Sequence, residues 1–209
     1  VTDVTGEVWI RIQATGLSTS SFDVDQIFVS KAVVNRSVGY AGGAIWVDTS
    51  GSNTNTENYI DGTADAPVST WAAALTLSGQ LGLKRFHLSA GSSIELTGNS
   101  DNFDFNGGSI ALGGQSIEGA LFEGCSISGL GTGAATLPRF KRCTVAGTLP
   151  PSYMESVGFI STITIGSAGD YYLVDCYSQV AGASSPVIDM AAVGSTGLNI
   201  RRFGGGLSI

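Results

Sequence analysis

The C-terminal half of the chain repeats one short pattern of apolar and polar residues. Residues 120–129 read ALFEGCSISG, and residues 138–147 read PRFKRCTVAG. In both, a Phe is followed three positions later by Cys, five positions later by Ile or Val and seven positions later by Gly. A longer copy at 172–182 keeps the Cys and the closing Gly, and a fourth copy at 199–207 has Phe203 in place of the Cys. This alternation predicts short strands, each with one buried side.

The aromatic position of the pattern returns at a nearly constant interval. Phe105 and Phe122 are 17 residues apart, Phe122 and Phe140 are 18 apart, and Phe159 lies 19 residues beyond Phe140. Such a period indicates repeats that stack on a common core. The Leu and Asn positions of leucine-rich repeats are missing, as is the 3.6-residue periodicity of helical repeats. We therefore predict a coil of short strands.

The N-terminal segment has a different pattern. Residues 7–14 and 22–30 each alternate between apolar and polar positions, and they predict two antiparallel strands that end a small β-sandwich. Two strands alone are marginally stable, so we expect them to pack on another part of the protein or on another subunit. The Gly-containing connector 31–43 places the domain boundary near residue 40. Residues 1–40 are predicted to be a sandwich or connector domain, and residues 41–209 the coil.

One helix is predicted within the coil domain, after a buried strand at 44–48. Ser69 or Thr70 can cap its N-terminus and Gly79 can end it. Three apolar residues of the helix can face the core: Trp71, Leu75 and Leu77. Further strands are predicted at 84–91, 94–98, 103–105, 109–119, 162–165 and 186–190.

The repeated pattern resembles the turns of right-handed parallel β-helices, the fold of pectate-lyase-like proteins and bacteriophage tailspikes. Residues 61–79, a Gly-Thr loop with Pro67 and then an Ala-rich helix, are similar to the entry of many phage β-helix domains, where the helix covers the open end. The resemblance covers about residues 44–209. In that family an Asn often precedes the Cys position and forms a ladder. We predict no Asn ladder here, because that position holds Gly124, Arg142, Asp175 and Arg202.

The resemblance implies an all-β fold, namely a right-handed single-stranded parallel β-helix with an N-terminal capping helix, preceded by the end of a small β-sandwich. The sequence starts at Val1 and stops at Ile209 within a repeat. We therefore expect a piece of a longer chain whose β-helix is truncated at its C-terminal end.

The function implied is that of a structural component of a bacteriophage virion: a tail fibre, tailspike or collar fibre assembled in the bacterial cytoplasm. The resemblance further implies a homotrimer that contacts other virion proteins through its N-terminal region. It would link the particle to a host-facing, receptor-binding region. One alternative is a polysaccharide-degrading tailspike, or depolymerase, that acts on host surface polysaccharide. A second alternative is a bacterial surface adhesin.

Composition narrows these possibilities. The chain has 10 basic and 17 acidic residues, a net charge of −7 and 30 Gly among 209 residues. The Gly content favours a turn-rich β fold, and the charge gives no basic footprint for nucleic acid. No apolar stretch is long enough to insert into a membrane.

The three cysteines occupy equivalent positions of the repeat. Three residues do not make a disulfide framework, and His87 is the only histidine that could join them at a metal. We therefore interpret Cys125, Cys143 and Cys176 as a column of small buried side chains with reduced thiols.

No residue set identifies a catalytic, cofactor or metal site. Depolymerases use paired carboxylates, but Glu123 is followed one repeat later by Lys141, and Asp175 shares its position with Arg142 and Arg202. This pattern predicts a surface charge ladder. The other carboxylates of this region, Asp101, Asp104, Glu95 and Glu118, show no calcium-loop spacing. Five aromatic residues can stack on sugar rings, or pack at the edges of the repeats or against a neighbouring subunit: Trp46, Tyr153, Tyr171, Tyr172 and Tyr177.

Overall fold

The computed structural model describes residues 40–50, 62–133, 135–180, 186–190, 194 and 196–209. The chain divides into two units, Val1–Asn35 and Arg36–Ile209, and all described residues belong to the second. The strands predicted at 7–14 and 22–30 lie outside the described residues.

The described residues are mostly β-structure with one short helix. The helix, α1, spans Trp71–Leu81, and a 3-10 turn spans Ala41–Gly43. The strands are β1 Ala44–Val47, β2 Arg85–Leu88, β3 Ser93–Glu95, β4 Asp104–Asn106, β5 Ser109–Ala111, β6 Leu121–Glu123, β7 Ser126–Ser128, β8 Arg139–Lys141, β9 Thr144–Leu149, β10 Tyr153–Glu155, β11 Gly158–Ile165, β12 Gly169–Ser178, β13 Ile188–Asp189 and β14 Thr196–Gly204.

The strands β1 to β12 form one curled parallel sheet. In the first row, β1, β2, β4, β6, β8, β10 and β12 pair in that order, and in the second row β3, β5, β7, β9 and β11 do the same. The rows join where β11 pairs with β12, while β13 adds to β11 and β14 adds to β12. Between β2 and β12, strands that follow one another along the chain thus lie in alternate rows. The prediction of an all-β, parallel fold is confirmed.

A column of phenylalanines runs through the first row. Phe86, Phe105, Phe122 and Phe140 are in register across β2, β4, β6 and β8, and all are buried. The rings of Phe105 and Phe122 are 4.9 Å apart and 5° from parallel, and those of Phe122 and Phe140 are 5.0 Å apart and 10° from parallel. Offset stacking of this kind adds to the hydrophobic gain of burial. The predicted spacing of 17 and 18 residues therefore brings these rings together.

The next member of that column is Met154, and the prediction that Phe159 follows Phe140 is wrong. Met154 is in register with Phe140, and Leu173 follows Met154. Phe159 lies in the second row, where it is in register with Val145. The segment between β8 and β10 is shorter than its predecessors, so an apolar residue reaches the first row earlier. Spacing alone could not reveal this shortening.

The second row has its own buried column. Ile94, Ile110, Ile127 and Val145 are in register across β3, β5, β7 and β9, and each is buried. In six repeats the chain leaves the first row through a residue with a left-handed backbone conformation, and after Gly107 the next residue, Gly108, is left-handed as well. The six residues and their φ angles are Gly107 (77°), Gly124 (65°), Arg142 (51°), Ser156 (56°), Asp175 (55°) and Arg202 (60°).

Four of those bend residues occupy the position that often holds Asn in parallel β-helices, and for which we predicted no Asn ladder: Gly124, Arg142, Asp175 and Arg202. Non-glycine residues adopt positive φ infrequently, so their recurrence here marks a bend that the repeat requires. The turn therefore forms without a ladder of Asn side chains at this position.

Helix α1 covers one end of the Phe column. Thr70 is its N-cap, and the Oγ1 of Thr70 accepts a hydrogen bond of 3.2 Å from the backbone N–H of Ala73. The ring of Trp71 lies 4.8 Å from that of Phe86 and 5.7 Å from that of Phe105. The predicted cap and the predicted role of Trp71 are confirmed.

The C-terminus of α1 differs from its prediction. The helix continues past Gly79 to Leu81, and its C-cap is Gly82, which has a φ of 68° and donates a backbone hydrogen bond to the carbonyl of Ser78. Gly79 lies on an exposed part of the helix, where its lack of a side chain does not force a turn. Leu75 and Leu77 are partly buried and pack against the core.

Candidate functional site

The outward side chains of the first row form a polar surface that we call the charged face. Because side chains alternate along a strand, the neighbours of the buried Phe column point outwards. Across the successive strands β2, β4, β6, β8 and β10 they are Arg85 and His87, Asp104 and Asn106, Leu121 and Glu123, Arg139 and Lys141, and Tyr153 and Glu155.

Ion pairs join neighbouring strands on this face. Arg85 Nη2 lies 3.4 Å from Asp104 Oδ2, and Lys141 Nζ lies 3.7 Å from Glu155 Oε2. Their side chains are substantially exposed, so each pair contributes only about 0.2–1 kcal/mol. Charges of opposite sign thus alternate between successive strands, but these two pairs are not the ones that the sequence predicted.

The bend residues make two further ion pairs. Arg142 pairs with Glu123, and Arg202 Nη2 donates to Asp175 Oδ2 at 2.6 Å. Glu123 is in register with Lys141, as the repeat predicts, but its cation comes from the bend that follows. The long side chain of Arg142 reaches back to the preceding strand. Strand register alone does not predict such a contact.

A shallow depression of about 250 Å³ lies on the charged face. Its lining includes Arg85, His87, Asp104, Asn106 and Glu123. Sequence reasoning missed its His, Arg and Asn members. The signal that could have found them is their position, one residue before or after a Phe of the column.

The two carboxylates of the depression are not directly opposite each other. Asp104 is in register with Leu121, and Glu123 is in register with Asn106. Each carboxylate has an arginine partner. The depression can therefore offer charged and hydrogen-bonding groups to a polar molecule.

The aromatic candidates separate into buried and surface residues. Trp46 stacks on His87 with ring centroids 4.8 Å apart and an interplanar angle of 18°. The guanidinium of Arg139 lies 5.3 Å from the ring centroid of Tyr153, and Tyr172 lies beside Tyr153. Tyr177 is exposed.

Tyr171, in contrast, is fully buried. Its hydroxyl donates to the carbonyls of Leu149 or Ser167, each at 3.0 Å. Stacking of Tyr171 on a sugar ring is therefore excluded, since its ring belongs to the core.

The remaining carboxylates have structural partners or lie at a strand end. Asp101 Oδ1 accepts hydrogen bonds from Ser116 Oγ at 2.5 Å and from the backbone N–H of Glu118 at 2.9 Å. Partial burial opposes ionisation, but these hydrogen bonds outweigh it and hold the pKa of Asp101 below its usual value. Glu118 Oε1 accepts from the backbone of Ala135, and Glu95 is exposed at the end of β3.

The three thiols line the interior of the bends. Cys125, Cys143 and Cys176 are free and buried, and each Sγ lies 3.3–3.8 Å from two backbone carbonyl oxygens. The predicted burial of all three cysteine side chains is confirmed. Within those residues, no group of three or more His, Cys, Asp and Glu side chains is arranged to hold a metal ion.

Burial of these groups predicts a loss of stability in alkali. Burial raises the pKa of Cys176 and of Tyr171, and the adjacent Cys143 thiol together with burial raises the pKa of Cys125. The unfolded chain therefore releases these protons at a lower pH than the folded chain. The free energy of unfolding should be insensitive to these groups below about pH 8, and above it should fall by up to about 1.4 kcal/mol per pH unit for each ionising group.

Urea unfolding followed between pH 7 and pH 11 measures this slope. The matched variant is Cys176→Val, since Val157 occupies the equivalent position of another repeat. The variant should show a smaller alkaline slope than the parent. An identical slope would mean that the Cys176 thiol does not contribute.

Within the described residues, no helix is long and apolar enough to cross a membrane. No protein-family model matches the chain, and neither a curated protein nor a solved structure with significant similarity was found.

Proposed function

We propose that residues 41–209 form a right-handed single-stranded parallel β-helix and serve as a structural segment of a bacteriophage appendage. The segment is a homotrimer that links the particle to a host-facing region. The observation that carries the proposal is the register of the buried aromatic column, which continues from Phe86 to Phe140 without a break.

The strand order supports a coil. From β2 onwards, each strand of the first row leads through a left-handed bend into the second row, and the chain then returns to the first row beside its previous strand. Every such return joins parallel strands, and connections between parallel strands are right-handed in about 98% of cases. The placement of α1 on the Phe column matches the capping helix of the proposed β-helix, because it covers core side chains that the end of a coil exposes.

The charged face supports a mechanical role over a catalytic one. Its carboxylates at Asp104, Glu123 and Glu155 each have a cationic partner. Such pairs hold neighbouring turns together weakly. A stack of similar turns is also suited to an extended connecting segment.

Exposed apolar side chains support self-association. Ile160 and Tyr177 are 44% and 38% exposed, and they lie on the paired strands β11 and β12. Closed, symmetric association covers such surfaces in most soluble oligomers.

Analysis of purified phage particles tests the proposal. Particles from a culture that carries the gene should contain this chain, and chemical cross-linking should give a species of three chains on denaturing gels. Absence of the chain from the particles would contradict the virion role. Its presence with cross-links that never exceed one chain would contradict the trimer.

The trimer can be tested further by substitution at the exposed apolar surface. Ile160→Lys should reduce the three-chain species of the purified protein, because a buried, unpaired ammonium opposes association. Asn106→Lys is the control, since Asn106 is an exposed residue of the charged face, and it should leave the trimer intact.

A further inference from the structure

Cys125 and Cys143 occupy the same position of neighbouring repeats. They are 18 residues apart in sequence, and residues on both sides of them are in register: Glu123 with Lys141, and Ser126 with Thr144. The backbone N–H of Thr144 donates to the carbonyl of Cys125 at 2.9 Å.

This register fixes the separation of the two Cα atoms. Adjacent strands lie about 4.8 Å apart, which falls within the range of about 4.4–6.8 Å that a disulfide spans. No rearrangement of the strand pairing is needed to bring the two residues within reach.

The two side chains lie in the same part of the interior. The thiols of Cys125 and Cys143 are close enough for each to shift the pKa of the other. Both side chains are buried, at 2% and 1% exposure. Sγ of Cys143 lies 3.3 Å from the carbonyl oxygen of Phe122, the residue three positions before Cys125. The two sulfur atoms therefore share one interior space.

Cys176 provides an internal comparison. It is in register with Phe203 of β14 on one side, and on its other side the equivalent position holds Val157, which follows the bend residue Ser156. Cys176 thus has the same position in the repeat and the same burial as the other two cysteines, but it has no thiol beside it in this column.

We propose that Cys125 and Cys143 form an oxidation site, at which a hydroperoxide converts the two thiols into an intramolecular disulfide. One thiolate attacks the peroxide oxygen, which breaks the O–O bond, releases an alcohol or water and leaves a sulfenic acid. The second sulfur then attacks the first, forming the S–S bond and releasing water. Two S–H bonds are lost, and the peroxide takes up the two electrons and two protons.

The disulfide links successive repeats covalently. It closes a loop of about 18 residues, and in the chain-entropy description loops of this size restrict the unfolded state considerably. The expected effect is a rise in Tm of about 6–12 °C. Because both sulfur atoms are buried, oxidation requires local opening of the bends and should be slow compared with oxidation of exposed thiols.

The experiment treats the folded chain with hydrogen peroxide, then alkylates the remaining thiols in denaturant. Oxidation should lower the intact mass by two hydrogen atoms. The alkylation that follows should then modify only one cysteine. Trypsin digestion yields one peptide, residues 86–139, that contains Cys125. A second peptide, residues 143–201, contains both Cys143 and Cys176. The digest is therefore made in a Cys176→Ser background, where linkage of these two peptides can involve only Cys143.

Cys143→Val is the control variant, because Val157 shows that the position accepts valine. It should form no intramolecular disulfide, and peroxide should not raise its Tm. Three alkylated thiols after prolonged peroxide treatment of the parent would overturn the proposal, as would linkage through Cys176. These outcomes are independent of whether the chain belongs to a virion.

Discussion

Phe122→Ala is expected to lower the free energy of unfolding by about 3–5 kcal/mol. Phe122 is fully buried and lies between Phe105 and Phe140, with ring centroids 4.9 Å and 5.0 Å away. Removing the ring deletes two stacked contacts and leaves a cavity that the paired strands on both sides cannot close. Urea unfolding of the variant and the parent measures the difference.

Leu121→Ala is the matched control. Leu121 precedes Phe122 in β6, but its side chain points outwards and is only partly buried. Its replacement should cost about 1 kcal/mol or less. If the two variants lost equal stability, the Phe column would not be the main source of stability in this part of the sheet.

Gly113→Ala is expected to lower the free energy of unfolding by about 2–4 kcal/mol, which is the second large effect. Gly113 has a φ of 59°, and a Cβ atom there would lie only 2.3 Å from the carbonyl oxygen of Leu96. The left-handed conformation costs about 1–2 kcal/mol for a non-glycine residue, and the collision with backbone adds the cost of displacing a neighbouring segment. Thermal and urea unfolding both measure the loss.

Gly124→Ala separates these two contributions. Gly124 has a similar φ of 65°, but a Cβ atom there would have no neighbour within 4 Å. Its replacement should cost only about 1–2 kcal/mol. Arg142 and Ser156 already occupy the same position of later repeats with positive φ. Equal losses at Gly113 and Gly124 would show that backbone conformation, and not the approach of Leu96, decides the outcome.

Local features of this protein were predictable because they depend on residues close together in sequence. Alternation around Phe105 and Phe122 assigns one side of each strand to the core, whatever lies next to it. Thr70 caps α1 through a hydrogen bond that reaches only three residues along the chain. The equivalence of Cys125 and Cys143 likewise follows from the repeat itself.

Features that depend on the length of the connecting segments were not predictable. Met154 takes the position expected for Phe159 because one segment is shorter, and the pattern around Met154 gives no sign of this. The helix extends past Gly79 to Leu81 because Gly79 lies on its exposed side, and that side is set by how α1 packs on the core.

The sequence by itself determined which side of the strands around Phe105, Phe122 and Phe140 is buried, the approximate period of the repeat and the start of the helix. The tertiary structure alone decided that Glu123 pairs with Arg142, that Asp104 and Glu123 line one depression, and that Cys125 and Cys143 share one part of the interior. The physical reason is that burial follows from alternation within a strand, whereas these contacts join residues about 18 positions apart. Their partners are chosen by strand register and by the reach of individual side chains.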